Sequence, residues 1–463
     1  MTKTGIEDFL LRFPFLHYFT HKVVGLIPRK VRLGQSFWRW YAFFEESEQW
    51  KPEEILSFQM ERLQALLLKL QETSPFYRAR LSGIDIAAIT SLDEFRKNLP
   101  ELDRTTFRDR YSEIQADGIG KGGVKASTSG TTGEALQFFH PRGDSAREWA
   151  AICHQWKRIG YQPGVSRRAE FRGLTVHGRS VDIYPASNML RCSILHLDEG
   201  SIRHYAEEIR RFKVDYLHGY PSALYLVARE IVLHGIDFPQ PKGILLASEM
   251  VNDWQLTQIS EAFPGSKLFA HYGCAERTVL AGWCEHNREY HILPQYSIVE
   301  VDPETSEVIG TNLYNNLNGF VRYRMTDTVG EVRDKPCPDC GRPYSPRFVG
   351  LAGRTEDYLF SPQNGWIPPA IVTYPLKDLN VVNEMQFLQK ERDELNVRYS
   401  LRSDVESSQV EAELDLVREG MHRLFGKDMK LHFERVAEFP RGPTGKFKWI
   451  ISELDELDDG RHL

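Results

Sequence analysis

The stretch STSGTTGEA, Ser127 to Ala135, gathers hydroxyl side chains and glycines into nine positions. A loop of this kind can turn its backbone N–H groups toward an anion, with Ser127, Thr128, Ser129, Thr131 and Thr132 as added donors and Gly130 and Gly133 permitting close approach. A nucleoside triphosphate is the natural ligand, although a flexible Ser/Gly linker has the same composition. It is not a Walker A loop, which places Lys and then Ser or Thr directly after its last glycine; here Gly133 is followed by Glu134 and Ala135. A second cluster carries metal chemistry. CPDCGR holds Cys337 and Cys340 at the spacing of half a structural zinc site, and WCEHNREYH supplies Cys284, His286 and His291 about fifty residues earlier. Cys153, Cys192 and Cys274 complete a set of 6 cysteines too irregular for a disulfide framework in a chain of 463 residues.

Four further stretches follow the loop in order: HYGCAE (His271 to Glu276), RYRMTD (Arg322 to Asp327), GRTED (Gly353 to Asp357) and PRGPTGK (Pro440 to Lys446). This ordered series resembles the adenylate-forming superfamily, and within it the phenylacetate-CoA ligase and coenzyme F390 synthetase group with its CapK-like capsule-biosynthesis relatives. The resemblance runs from SPFYR (Ser74 to Arg78) to Lys446.

The resemblance implies a role for each matching position. Thr128, Ser129, Gly130, Thr131, Thr132 and Gly133 match the loop that holds the β- and γ-phosphates of ATP. Glu276, after Tyr272 and Gly273 of the tyrosine-glycine motif, matches the carboxylate that binds Mg²⁺ beside the α-phosphate, as suits a hard cation bridging phosphate oxygens. Asp327 matches the aspartate that accepts from both ribose hydroxyls, Arg354 the arginine at ribose or phosphate, and Ser248 with Glu249 the wall of the adenine pocket. Lys446 matches the lysine whose ammonium stabilises charge built up when a carboxylate attacks the α-phosphorus. Taken alone, Lys446 reads as an exposed lysine in a proline-glycine loop. Two positions depart from the pattern. Glu134 stands where a lysine is usual, and Glu356 stands where the interdomain hinge usually has an aspartate.

The same resemblance selects Cys284, His291, Cys337 and Cys340 as the zinc ligands, a closed set and therefore structural. It implies an acyl-CoA ligase: a small-molecule carboxylic acid, an aryl acid first, is activated by ATP and Mg²⁺ and passed to the thiol of coenzyme A. The alternatives are an amine or hydroxyl acceptor, in polysaccharide or secondary-metabolite assembly, retention of AMP on the substrate, and a non-catalytic nucleotide-binding protein. A homodimer is the preferred assembly on the same ground.

These residues must be positioned by a large α/β framework. Between residues 145 and 275 helical stretches (SIRHYAEEIRRF, PSALYLVAREIVLHG, DWQLTQISEAF) alternate with apolar strands (VDYLHG, KGILLAS, KLFAHYG), which predicts a mostly parallel sheet covered on both faces, with ligands at the carboxyl ends of its strands. The acid pocket is expected there, near His271 and the helix around Trp149 to Tyr161. Upstream, apolar residues at helical spacing (Ile55, Leu56, Leu63, Leu66, Leu67, Leu70) predict an amphipathic helix that stops before Pro75. The C-terminal hundred residues change rhythm: EMQFLQK and ELNVRYSLR read as strands, Val410, Leu414, Val417, Met421 and Leu424 as one helix face closed by Gly426, and KLHFERV as a further strand. The expected organisation is a large domain over 1–357, with an N-terminal helical segment and the zinc subsite, and a small mobile α+β domain over 358–463 carrying Lys446. Apolar residues at 41%, charged residues at 26% and a net charge of -6 are ordinary for a globular protein and give no basic footprint for nucleic acid. No apolar run suits a membrane span or a signal peptide, so the sequence predicts a cytoplasmic protein.

Overall fold

The computed structural model describes residues 23, 25–128, 136–171, 180–194, 197–343, 346–354, 358–363, 365–367, 372, 376, 379–402, 405, 407–439 and 447–454. The chain enters through helices α1 (Arg29–Ser47) and α2 (Pro52–Thr73). Pro52 suits the first turn of α2, where its missing N–H costs nothing, and the Glu54 carboxylate accepts from the Lys51 backbone N–H at 2.8 Å. Ile55, Leu63, Leu66, Leu67 and Leu70 are buried as the periodicity predicts, whereas Leu56 stays exposed because it falls on the solvent side of the helix. Phe37 and Phe44 of α1 are fully buried, so this helix contributes to the core.

A two-stranded hairpin, β1 (Gly123–Ser127) and β2 (Gln137–Pro141), leads into helix α3 (Asp144–Trp156). Then comes the main sheet. Strands β3 (Arg168–Phe171), β4 (Val181–Tyr184) and β5 (Met189–Cys192) are followed by α4 (Glu199–Phe212), β6 (Tyr216–Gly219), α5 (Pro221–Leu233), β7 (Gly243–Ala247), α6 (Asp253–Ala262) and β8 (Lys267–Gly273). Strands β5, β3, β6, β7 and β8 lie side by side and parallel, as the alternation predicts. All five residues of β7 are buried, the apolar run a strand needs when helices cover both faces. The sheet continues antiparallel through β9 (Leu280–Trp283) and β10 (Tyr290–Ile292) to short edge strands, giving ten strands in all among the described residues.

Strands β11 (Ser297–Val301), β12 (Glu307–Asn312), β13 (Tyr323–Val329), β14 (Val332–Arg333), β15 (Arg347–Phe348) and β16 (Leu351–Arg354) complete the large unit. Of these, β14 and β15 extend the main sheet, and β11, β12, β13 and β16 form a second, antiparallel sheet. A separate hydrophobic core begins at Leu359. It lies under a four-stranded sheet of β19 (Val382–Glu391), β20 (Glu394–Leu401), β21 (Lys430–Arg435) and β22 (Ile450–Ser452), preceded by the hairpin of β17 (Leu359–Ser361) and β18 (Gly365–Ile367). Helix α7 (Ser407–Phe425) packs on it with Val410, Leu414, Val417 and Met421 buried. Phe425 takes the last core position and Leu424 is only partly covered, since the helix reaches Gly426 with Phe425 turned inward.

Candidate active site

The β1–β2 hairpin fixes both ends of the glycine-hydroxyl loop. Thr128 closes its neck twice: its N–H donates to the Leu136 carbonyl at 3.0 Å, and its Oγ1 accepts from the Leu136 N–H at 3.0 Å. Asn315 and Asn318 pin the hairpin to the turn before β13, with the Asn315 Nδ2 donating to the Phe139 carbonyl at 2.9 Å and Asn318 Oδ1 accepting from the Phe139 N–H at 3.3 Å. Ser129, Gly130, Thr131, Thr132, Gly133 and Glu134 lie outside the described residues, as do Glu356 and Lys446; of Arg354 the backbone alone is described.

Two motifs far apart in sequence meet directly. The phenol of Tyr272, near the carboxyl end of β8, donates to Asp327 Oδ2 at 2.7 Å, joining the main sheet to the second sheet. Asp327 stands opposite Arg354 in the β13–β16 pairing. Tyr272 is buried and Asp327 half-buried, so the bond is partly shielded from water. Gly273 ends β8, and three residues later Glu276 is buried, with its carbonyl accepting from Asn312 Nδ2 at 3.0 Å.

Glu276 is followed by a strained residue. Arg277 has φ 58°, a left-handed conformation that a side chain with a Cβ adopts only when its surroundings hold it there. The hold is visible. Arg277 Nη1 donates to Asp144 Oδ2 at 2.5 Å and its Nε lies 3.4 Å from Glu148, while Asp144 Oδ1 accepts from Arg147 Nε at 2.7 Å. Arg147 is almost wholly buried, with its guanidinium over the rings of Tyr296 (4.5 Å) and Tyr314 (4.1 Å). Tyr296 in turn donates to Glu148. Burial opposes the charge on Asp144, yet the two guanidinium groups outweigh it and hold its carboxyl below the usual range. Burial pushes His140 down to about 4, and the nearby Arg277 adds to the effect.

Ser248 repeats the pattern. It has φ 71° directly after β7, and the next residue, Glu249, accepts through Oε2 from the Ser222 N–H at the first turn of α5 at 3.2 Å. Within RYRMTD, by contrast, the arginines are anchors of the large unit. Arg322 binds Glu300 through Nε at 3.0 Å and the Leu99 carbonyl through Nη1 at 2.7 Å, and Arg324 binds Glu101, Asp302 and Glu307.

Cys284, His291, Cys337 and Cys340 come together with all four ligand atoms within 4.8 Å of one another. Cys284 follows β9, His291 lies in β10, and the two other cysteines sit in the turn between β14 and β15. Cys340 Sγ lies 3.9 Å from His291 Nε2. A tetrahedral zinc with Zn–S near 2.3 Å needs ligand separations somewhat under 4 Å, so the set fits with a small contraction. Burial raises the Cys284 thiol to about 12, whereas at Cys337 the opposing effect of burial is outweighed by the Cys340 and Asp339 backbone N–H groups, lowering that thiol. Asn287 Nδ2 adds a contact to Cys337 Sγ at 3.5 Å. His286 is not in the cluster.

Sequence reasoning missed the Asp144, Arg147, Glu148 and Arg277 network entirely. Its one available signal was the arginine directly after Glu276, a charged residue next to a motif carboxylate.

With this geometry in view, comparison with known proteins adds four likenesses. Residues 359–453 match the CapK C-terminal domain family. The chain is 22% identical over 452 residues to Protein CapK of Staphylococcus aureus, covering 92% of this chain and 96% of that one. It is 24% identical over 329 residues to a phenylacetate-coenzyme A ligase of Thermus thermophilus, covering 66% and 72%. Among solved structures, 2-hydroxyisobutyryl-CoA ligase in the postadenylation state superposes with a TM-score of 0.64 at 18% identity, over 85% of this chain and 88% of that one. The protein therefore has the fold of the adenylate-forming CoA ligases, a large α/β unit followed by a small C-terminal one. Its similarity to Protein CapK and to a phenylacetate-CoA ligase agrees with the resemblance its motifs carry, and residues 359–453 match the CapK C-terminal domain. Among the described residues no helix is long and apolar enough to cross a membrane.

Proposed function

We propose that this protein activates a carboxylic acid with ATP, forming an acyl adenylate and pyrophosphate, and passes the acyl group to coenzyme A. The observation that carries the reading is the Tyr272–Asp327 bond, which joins the tyrosine-glycine motif to the proposed ribose-binding carboxylate across two sheets. Asp327 holds the ribose hydroxyls, Ser248 and Glu249 border the base, and Thr128 to Gly133 embrace the β- and γ-phosphates. Glu276 holds Mg²⁺, which neutralises phosphate charge when bound. Lys446, on the small domain, supplies positive charge to the α-phosphoryl oxygens as the carboxylate attacks. In this reading the domains divide at 357/358, and the small one turns about Glu356 between the two half-reactions. The resemblance favours an aryl acid and a homodimer. Cys284, His291, Cys337 and Cys340 hold a structural zinc that ties β9, β10 and the β14–β15 turn together. ATP–pyrophosphate exchange over a panel of aryl, alkyl and hydroxylated acids tests the first half-reaction, and Lys446→Ala should lower it by about 10²–10³-fold. Silence with every acid would refute the reading. Product mass after addition of coenzyme A distinguishes a thioester from an amide, an ester or retained AMP.

A further inference from the structure

The carboxyl ends of the parallel strands carry a polar cluster that the adenylation chemistry does not use. Glu170 of β3 stands beside Arg191 of β5 on one side and His218 of β6 on the other, in direct register. Arg191 donates to Glu170 Oε2 through Nε at 3.0 Å and through Nη2 at 2.8 Å, and His218 Nδ1 lies 3.4 Å from Oε1. Trp156, at the end of α3, closes the cluster from above. Its ring is 4.9 Å from that of His218, and its Nε1 donates to His271 Nδ1 at 3.3 Å, one residue before Tyr272.

Three features argue that this cluster faces a ligand. First, a charged pair between strands is poor value for stability, because apolar residues of the same volume usually serve a core as well or better. Second, the group opens outward: Arg191 keeps 27% of its side chain exposed, and Trp149 and His271 are half-buried, while Glu170, His218 and Trp156 are buried. Third, it occupies the end of the sheet where open α/β folds take their ligands, adjoining the tyrosine-glycine motif through His271.

We infer that this cluster selects a hydroxyl-bearing carboxylic acid, with Glu170, Arg191 and His218 as its specificity-determining residues. The inference rests on the adenylation reading above and narrows its substrate class. The choice of a hydroxyl follows from charge and bonding capacity. Glu170 bonds Arg191, and Asp182 of β4 stands opposite Arg191 in register, so a second carboxylate would meet repulsion from the acidic groups and an ammonium would meet a guanidinium that can only donate. A hydroxyl donates and accepts once each, and it finds here a carboxylate to receive its proton, a guanidinium to donate to its oxygen, and imidazoles able to do either. The Trp149 and Trp156 rings supply apolar walls for the rest of the acid.

The test is pyrophosphate exchange by the full-length protein with matched pairs: phenylacetate against 4-hydroxyphenylacetate and mandelate, and butyrate against 2-, 3- and 4-hydroxybutyrate, with amino and dicarboxylic analogues alongside. A site built to bond a hydroxyl rejects the analogue lacking it by far more than a missing methylene would cost, so at least one hydroxy acid should exceed its parent by about 10²-fold or more in kcat/KM. Glu170→Gln should cut that preference, read as the ratio of kcat/KM for the hydroxy acid to that for its parent, to under about tenfold. His218→Leu provides the same comparison if Glu170→Gln fails to fold, as judged by melting temperature. Equal or better use of unsubstituted acids, preference for an amine or second carboxylate, or a hydroxyl preference that survives both substitutions overturns this inference and leaves adenylation standing. Absence of exchange with every acid removes the adenylation reading and this inference together.

Discussion

Tyr272→Phe removes one oxygen and leaves the ring, so its effect isolates the bond to Asp327. The phenol donates to a carboxylate at 2.7 Å, a charge-assisted bond of about 1.5–3 kcal/mol when fully buried. Asp327 is only half-buried, which brings the expected loss down to around the lower end of that range, about 1–2 kcal/mol. At about 1.4 kcal/mol per tenfold, this is roughly a 5- to 30-fold rise in the KM for ATP. The ribose lies away from the reacting phosphorus in this reading, so its contacts act equally on ground and transition states. The turnover number should therefore change by less than about threefold. Steady-state pyrophosphate exchange at varied ATP measures both quantities, with thermal melting as a check that the buried ring still packs. An unchanged KM for ATP in a stably folded variant would refute the link between this bond and nucleotide binding. A fall in kcat with unchanged KM would instead place Tyr272 at the reacting phosphate.

Three other outcomes follow from the same geometry. Arg277→Ala should destabilise the protein by about 3 kcal/mol, because it breaks a buried pair and keeps a Cβ at φ 58°, while Arg277→Gly should recover about 1 kcal/mol of that; urea unfolding that finds the two equal would show that no strain is stored there. Protein purified without a tag should contain about one zinc per chain, and Cys337→Ser should lose it together with a few kcal/mol, at about 2–4 °C of melting temperature each; metal analysis finding no zinc in the parent protein would sink the site. His140 is held at about 4 in the folded chain against about 6.5 when unfolded, so the unfolded state binds the extra proton between those values. Stability should be full above about pH 6.5 and decline by up to about 3 kcal/mol as pH falls toward 4, and His140→Phe should flatten that part of the urea-midpoint profile.

Features that depend on local pattern were readable in the sequence. Helices and parallel strands between residues 199 and 273 follow periodicity and strand length, and α7 shows its buried face in the spacing of Val410, Leu414, Val417 and Met421. The Cys337 and Cys340 pair was legible because cysteine pairs have few other uses at that spacing, while the choice of Cys284 and His291 over His286 came only from the family resemblance. What was not legible depends on partners distant in the chain. Asp144 and Arg277 are 133 residues apart, and either alone reads as a solvated surface charge. The arginines of RYRMTD show the converse. Their motif placed them beside a proposed ligand, yet their partners, Glu101, Glu300, Asp302 and Glu307, belong to the architecture of the large unit. Sequence order also could not show that β22 returns to lie parallel to β19, since strand pairing across a helix and a loop leaves no local mark.

The contacts between the two cores bear on how a small domain could leave its seat. Arg402 of the small unit donates to Glu230 at 2.5 Å, and Arg229 of α5 donates to the Val382 and Asn383 carbonyls and to Asn383 Oδ1. Trp449 meets Trp254 edge-on at 5.8 Å. Glu230 has only 2% of its side chain exposed, so losing its cation on separation would carry the heavy cost of an unpaired buried charge. It does not lose every partner. Arg229 lies 3.6 Å and His234 3.4 Å away on the same helix, and both remain with Glu230 when Arg402 departs. Arg402 itself passes to water, where its charge is solvated at once, and the carbonyls released by Arg229 are open to the same solvent. Among the described residues the seam thus combines polar bonds that water can replace with a small apolar cluster, in which Trp449 packs against Tyr225, Leu226 and Trp254. The proposed turn of the small unit between half-reactions would have to break these bonds and expose this cluster, and the partners that stay with Glu230 lower the polar part of that cost.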